Sequence, residues 1–138
     1  MRKWLLKIIC FVILAQISYL AVSAELLQAK SNDVSRKIIE RTDIAGSDEE
    51  LRLMLVEFPP GYESSAHIHP VIGLNYIIDG SVESQYEGED LKTFHSGESY
   101  QDLDNKKHLI FRNISKTDTL RFIIACKITK GKSFMEPL

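Results

Sequence analysis

The sequence predicts an all-β domain, a sandwich or barrel, on three observations. Its apolar residues fall in short runs of strand length, at fairly regular spacing and separated by turn residues. The runs are rich in Ile, Phe, Tyr, Val and Thr, the residues that suit a pleated, half-buried surface. Beyond residue 24, no segment carries a sustained 3.6-residue period, so a strand–helix alternation is excluded.

The runs follow in order from Ile38. Leu51–Phe58 is the first long one, and Pro59-Pro60-Gly61 stops it. Leu74–Ile78 comes next, followed by Asp79-Gly80, a pair that favours a hairpin turn. Ser81–Tyr86 alternates polar with less polar residues, and Glu87-Gly88-Glu89-Asp90 is the following turn. Leu91–Phe94 ends at Ser96-Gly97, and His108–Phe111 and Thr119–Ala125 complete the set.

The N-terminus has a different character. Met1–Lys7 carries three positive charges and no acid, and Ile8–Ala24 has no charge at all before it closes on Val22-Ser23-Ala24. A basic start, an apolar middle and a small-residue end form the pattern of a secretory signal, cleaved after Ala24. An uncleaved anchor is the alternative, since the apolar stretch is close to the shortest that spans a bilayer. The expected layout is a signal at 1–24, a flexible leader at 25–37, a β-barrel at 38–130 and an extended tail at 131–138. The expected location is secreted or periplasmic, with no stable membrane association once the signal is gone.

Cleavage there leaves 14 basic residues against all 19 acids, a net charge of −5. An acidic domain without a Lys/Arg cluster argues against nucleic acid as a partner. One cysteine survives, Cys126, in the apolar run Phe122–Cys126, so no internal disulfide forms and a buried, inert thiol is expected. Asn113-Ile114-Ser115 is formally a glycosylation acceptor.

All four histidines lie between positions 67 and 108. In His67-Ile68-His69 the two imidazoles share one strand face, because residues i and i+2 point the same way. Two imidazoles on one face suit a zinc, iron, nickel, copper or manganese ion, with a third ligand from elsewhere in the sheet. His108, at the head of an apolar run, is the candidate, whereas His95 beside a turn is read as exposed.

The segment Gly61–Gly80 resembles the first cupin motif: Gly61, His67, His69 and Gly80 all fall in register. Gly97–His108 matches the glycine and histidine spacing of the second motif, and Asn113 lies one residue past the usual asparagine. The resemblance covers about Ile38 to Ile128. It implies an antiparallel β-barrel of the double-stranded β-helix (jelly-roll) type, with a divalent metal on His67, His69 and His108. Two departures stand out. Gly73 occupies the position of the glutamate that normally completes the metal shell, and Leu103 and Asn105 replace a proline and a glycine. Asn105 suits a left-handed turn.

Three neutral imidazoles leave the ion's full charge in place and coordination positions open to water or substrate. Asn75, Gln85, Tyr86, Tyr100 and Gln101 are the expected pocket residues. Glu63, Glu98 and Asp102 are read as loop carboxylates, with Asp102 a candidate to partner a ligand histidine. Two functions follow: a metal-dependent enzyme acting on a small molecule, similar to the three-histidine cupin dioxygenases, or a non-enzymatic module that captures a small ligand or metal in the periplasm. A metal-free barrel is the third reading. A homodimer is expected from exposed sheet edges.

Overall fold

A computed structural model describes residues 33–138, which form ten strands and no helix. The strands are β1 (Ser35–Asp43), β2 (Glu49–Phe58), β3 (His67–Ile68), β4 (Gly73–Asp79), β5 (Ser81–Tyr86), β6 (Lys92–His95), β7 (Ser99–Asp102), β8 (His108–Asn113), β9 (Leu120–Thr129) and β10 (Glu136–Pro137). They assemble into two five-stranded sheets, ordered β1-β2-β9-β4-β7 and β10-β3-β8-β5-β6. Every strand pair is antiparallel. The all-β antiparallel expectation therefore holds.

Period-2 alternation decides which side chains fill the interior. On β2, Met54, Val56 and Phe58 are buried, and on β9 Leu120, Phe122, Ile124, Cys126 and Ile128 are. The pairing of Val56 with Phe122 and of Met54 with Ile124 stacks these rows side by side. Phe58, Phe111 and Phe122 meet edge to face, with ring centroids 5.4 to 5.6 Å apart. Such pairs add to the area term. Cys126 is buried and unpaired, and burial pushes its thiol pKa up, as expected of an inert core thiol.

Four expectations are corrected. Asp79-Gly80 is not a hairpin, because β4 and β5 belong to different sheets and the chain crosses between them there. Gly80 has φ +86°, and a Cβ on it would lie 3.1 Å from Leu120 Cα, so the crossing needs glycine. The leader ends earlier than position 37, since Ser35, Arg36 and Lys37 already pair with Glu57, Val56 and Leu55. All nine residues of β1 are exposed, so the backbone ladder of an edge strand holds it, and no apolar pattern announces it. The segment 131–138 is extended but docked: Phe134 is buried in the core and β10 pairs with β3. Finally, Asn113 is 1% exposed and its amide donates to the carbonyls of Phe58, Pro59 and Asp118, so it is a structural clasp and offers nothing to a glycosyltransferase. Residues 1–24, and the first part of the leader, lie outside the described residues.

The burial pattern sets an expected contrast. Phe122→Ala should cost about 3–5 kcal/mol, the range for a buried aromatic. Leu74→Ser, at a side chain 61% exposed, should stay within about 0.5 kcal/mol. Denaturant unfolding of the two variants beside wild type measures both.

Candidate metal centre

The three histidines meet because of register. His67 on β3 pairs directly with His108 on β8, and His108 pairs with Tyr86 on β5. His69 lies just past β3 and is fixed by its own backbone, whose carbonyl accepts the Asn105 N–H at 2.8 Å. Asn105 has φ +52°, the one non-glycine left-handed residue among those described. All three imidazoles are buried, at 5% exposure or less.

Each ring turns one nitrogen outward to a partner and one inward. His67 Nδ1 meets Ser65 O at 2.8 Å, His69 Nδ1 meets Phe134 O at 3.0 Å, and His108 Nε2 meets Ser84 Oγ at 2.8 Å. A carbonyl only accepts, so His67 and His69 carry their hydrogens on Nδ1. Their Nε2 atoms then face each other as lone pairs at 3.2 Å, with His108 Nδ1 at 3.5 Å from His69 Nε2. Two ligand atoms about 2.1 Å from one ion lie about 3.0 to 4.2 Å apart, from a right angle to opposition. The two separations from His69 Nε2 fall in that range, and the three ligand atoms all lie within 4.8 Å of one another, a set that can close on a cation. Burial, the larger effect, and the neighbouring imidazoles hold His108 down at about pKa 3. Burial likewise lowers His67. Both are neutral at physiological pH, the form that ligates.

A buried acid stands beside them. Asp102 is 2% exposed and its Oδ1 lies 3.8 Å from His69 Nε2. It accepts from Tyr86 Oη at 3.0 Å and from Asn75 Nδ2 at 2.9 Å. Burial and the Asp102 charge raise the Tyr86 pKa far above normal, so the phenol stays a donor. Tyr86 also stacks on His108, with centroids 4.0 Å apart.

A cavity of about 280 Å³ opens on the cluster. His67, His69, Asp102 and Arg52 are among its polar lining, and Met54, Val56 and Phe134 line it as apolar surface. Arg36, on the edge strand, also lines it, with its guanidinium 5.7 Å from the Phe58 ring centroid.

The expected pocket residues divide. Asn75 and Tyr100 are buried but lie outside this cavity, and Asn75 acts through Asp102. Gln85 and Gln101 do not reach the cluster: alternation gives the inward positions to Ser84, Tyr86, Tyr100 and Asp102. Gln85 instead donates to Glu89 O. Tyr100 and Gln101 border a separate hollow with Ser84 and Tyr86. Asp102 is a strand residue and not a loop carboxylate. His95 is exposed, bonded to Ser81. Ser84 and Phe134 were missed. The alternation of Ser81–Tyr86 could have revealed Ser84, whereas nothing in the C-terminal sequence marks Phe134.

The cupin domain model matches residues 54–126, more than half of the chain. The chain belongs to the cupin family. Solved structures agree on the fold. A double-stranded β-helix protein from Klebsiella pneumoniae aligns over 77% of this chain and 86% of its own, at 14% identity and a TM-score of 0.59. A cupin-like protein from Thermotoga maritima aligns over 76% and 75%, at 21% identity and 0.59. The polyketide cyclase RemF from Streptomyces resistomycificus aligns over 76% and 70%, at 17% identity and 0.58. No curated protein matches the sequence.

In this cupin the space beside position 73 is filled by other side chains. A Cβ on Gly73 would lie 2.5 Å from Phe134 Cζ, 3.0 Å from Asp102 Oδ2 and 3.2 Å from Ile124 Cγ2. Gly73→Ala should therefore overpack the site and cost about 1–3 kcal/mol. A lower denaturation midpoint at unchanged slope is the expected reading.

Proposed function

We propose that this chain is an exported cupin metalloprotein that holds one divalent transition metal on His67, His69 and His108 and acts on a small molecule in the adjoining cavity. The observation that carries the reading is the inward-facing set of three buried imidazole nitrogens, two of them 3.2 Å apart with their outer nitrogens bonded to carbonyls. With neither a cation nor a shared proton between them, their lone pairs repel at this distance in a buried site. When bound, Fe, Mn, Ni, Cu or Zn would act there as a Lewis acid with positions left open for substrate.

The chain's own residues do the rest. Ser65, Phe134 and Ser84 hold the imidazole planes through their outer nitrogens, which sets the inner lone pairs before any ion arrives. Met54, Val56 and Phe134 exclude water from the apolar side. Arg36 adds a positive charge at the cavity and favours a small anionic ligand such as an enolate or carboxylate. Export is supported by the signal-like N-terminus. The enzymatic form of this reading is dioxygenase-like chemistry. The non-enzymatic form, capture of a small ligand or metal, shares the same site and differs only in turnover.

Elemental analysis decides the first step. Wild type should carry about one metal per chain after loading, and His67→Ala, His69→Ala and His108→Ala should each lose it. Retention of full occupancy by all three variants would remove the reading. Ser84→Ala should keep the metal but weaken its affinity by about tenfold or more, measured by chelator competition. Oxygen uptake with enolic and phenolic compounds then separates the two forms. Uptake that requires the metal supports the dioxygenase-like form, and tight binding without turnover supports capture.

A further inference from the structure

We infer that Asp102 supplies a fourth, carboxylate ligand of the metal site, delivered from the strand opposite the position where the family motif carries glutamate. The inference rests on the three-histidine reading above and extends it by one residue. Its first support is register. Asp102 on β7 is the direct cross-strand partner of Gly73 on β4, so both positions address the same stretch of the interior.

The second support is space. A Gly73 side chain would begin 3.0 Å from Asp102 Oδ2. The site has room for one carboxylate, from either strand, and in this chain it comes from β7. The freed volume on the β4 side is taken by the Phe134 ring, whose own carbonyl holds His69.

The third support is charge. Asp102 is nearly fully buried, and its hydrogen-bond donors, Tyr86 and Asn75, are both neutral. Among the described residues its one ion-pair partner is His69, at 3.8 Å. A buried carboxylate with no cation is costly, and a divalent ion in the histidine cluster offsets that cost. The fourth support is distance. His69 Nε2 lies 3.2 Å from His67 Nε2, 3.5 Å from His108 Nδ1 and 3.8 Å from Asp102 Oδ1. All three separations fall inside the span of about 3.0–4.2 Å open to atoms that share one ion. Oδ1 receives one hydrogen bond, from Tyr86, and keeps a second lone pair for the ion.

The test uses the full chain, as wild type and as Asp102→Asn, which keeps size and shape but removes the charge. Zinc affinity is read by chelator competition and ligand geometry by the visible spectrum of the cobalt(II)-loaded protein. Asp102→Asn should bind zinc about 100-fold more weakly or worse and should shift the cobalt bands. A residue that only orients His69 would weaken binding without moving those bands. Infrared difference spectra of wild type on zinc loading should show a displaced carboxylate stretch. This measurement needs no variant and stands even if Asp102→Asn does not fold. Unchanged cobalt bands in a folded Asp102→Asn, or no carboxylate shift in wild type, overturns the proposal while leaving the three-histidine site intact. Wild type that binds neither zinc nor cobalt overturns both.

Discussion

Two neutral imidazoles that both give their outer hydrogen to a carbonyl present lone pairs to each other, and here their inner nitrogens stand 3.2 Å apart inside the barrel. That repulsion is the constraint around which the rest of the site is arranged. Ser65 O fixes His67, Phe134 O fixes His69, and the Ser84 hydroxyl fixes His108. None of the three rings can turn away without leaving a buried polar atom unpaired, which costs about 1–3 kcal/mol each. The C-terminal segment is therefore part of the site. Arg52 ties it down by donating to Lys132 O, β10 pairs with β3, and Phe134 then brings both its ring and its carbonyl to His69.

The two sheets divide the work. The β10-β3-β8-β5-β6 sheet places His67, His108 and Tyr86 in one cross-strand row. The β1-β2-β9-β4-β7 sheet places Arg52, Cys126, Gly73 and Asp102 in another. In the second row the polar groups stand at the ends and the small ones in the middle. Arg52 is satisfied by Glu50 at 2.6 Å, so it contributes no free charge to the cavity. Asp102 has no such partner and is left facing His69. The site's electrostatics thus come from one row of neutral imidazoles, one buried carboxylate across from them and the Arg36 guanidinium at the cavity.

Much of this was legible in the sequence. The alternation of Ser81–Tyr86 marks β5 with its observed bounds, and that of Leu120–Ile128 marks the interior face of β9, whereas the Leu51-Arg52-Leu53 alternation points the wrong way on β2, where Arg52 is buried against Glu50 and Leu51 is exposed. The His67-Ile68-His69 spacing gave a shared face, and the motif position of His108 gave the third member. Other features depend on long-range pairing, which local pattern does not encode. Asp79-Gly80 has the composition of a hairpin, and only the sheet assignment shows that the chain crosses there. β1 is exposed along its length, with Ile38 and Ile39 its apolar residues, and strand β7 is four residues whose burial alternates around a single aromatic. Phe134 lies in a short polar segment whose docking is decided 65 residues away, at His69.

The two departures from the family motifs are linked by this geometry. Leu103 and Asn105 replace the expected proline and glycine, yet Asn105 adopts the left-handed turn and its N–H holds the His69 carbonyl at 2.8 Å. Three residues earlier the same segment carries Asp102, whose carboxylate approaches the His69 ring. Backbone and side chain of one short stretch thus act on one histidine from two directions. A glutamate on β4 would be longer by one methylene and would start from a position that Phe134 now fills. An aspartate on β7 is shorter, starts from directly opposite, and is braced on both oxygens by Tyr86 and Asn75. With Gly73 on β4 and Asp102 directly across from it on β7, this chain keeps a buried carboxylate beside His69, supplied from the strand opposite the motif position.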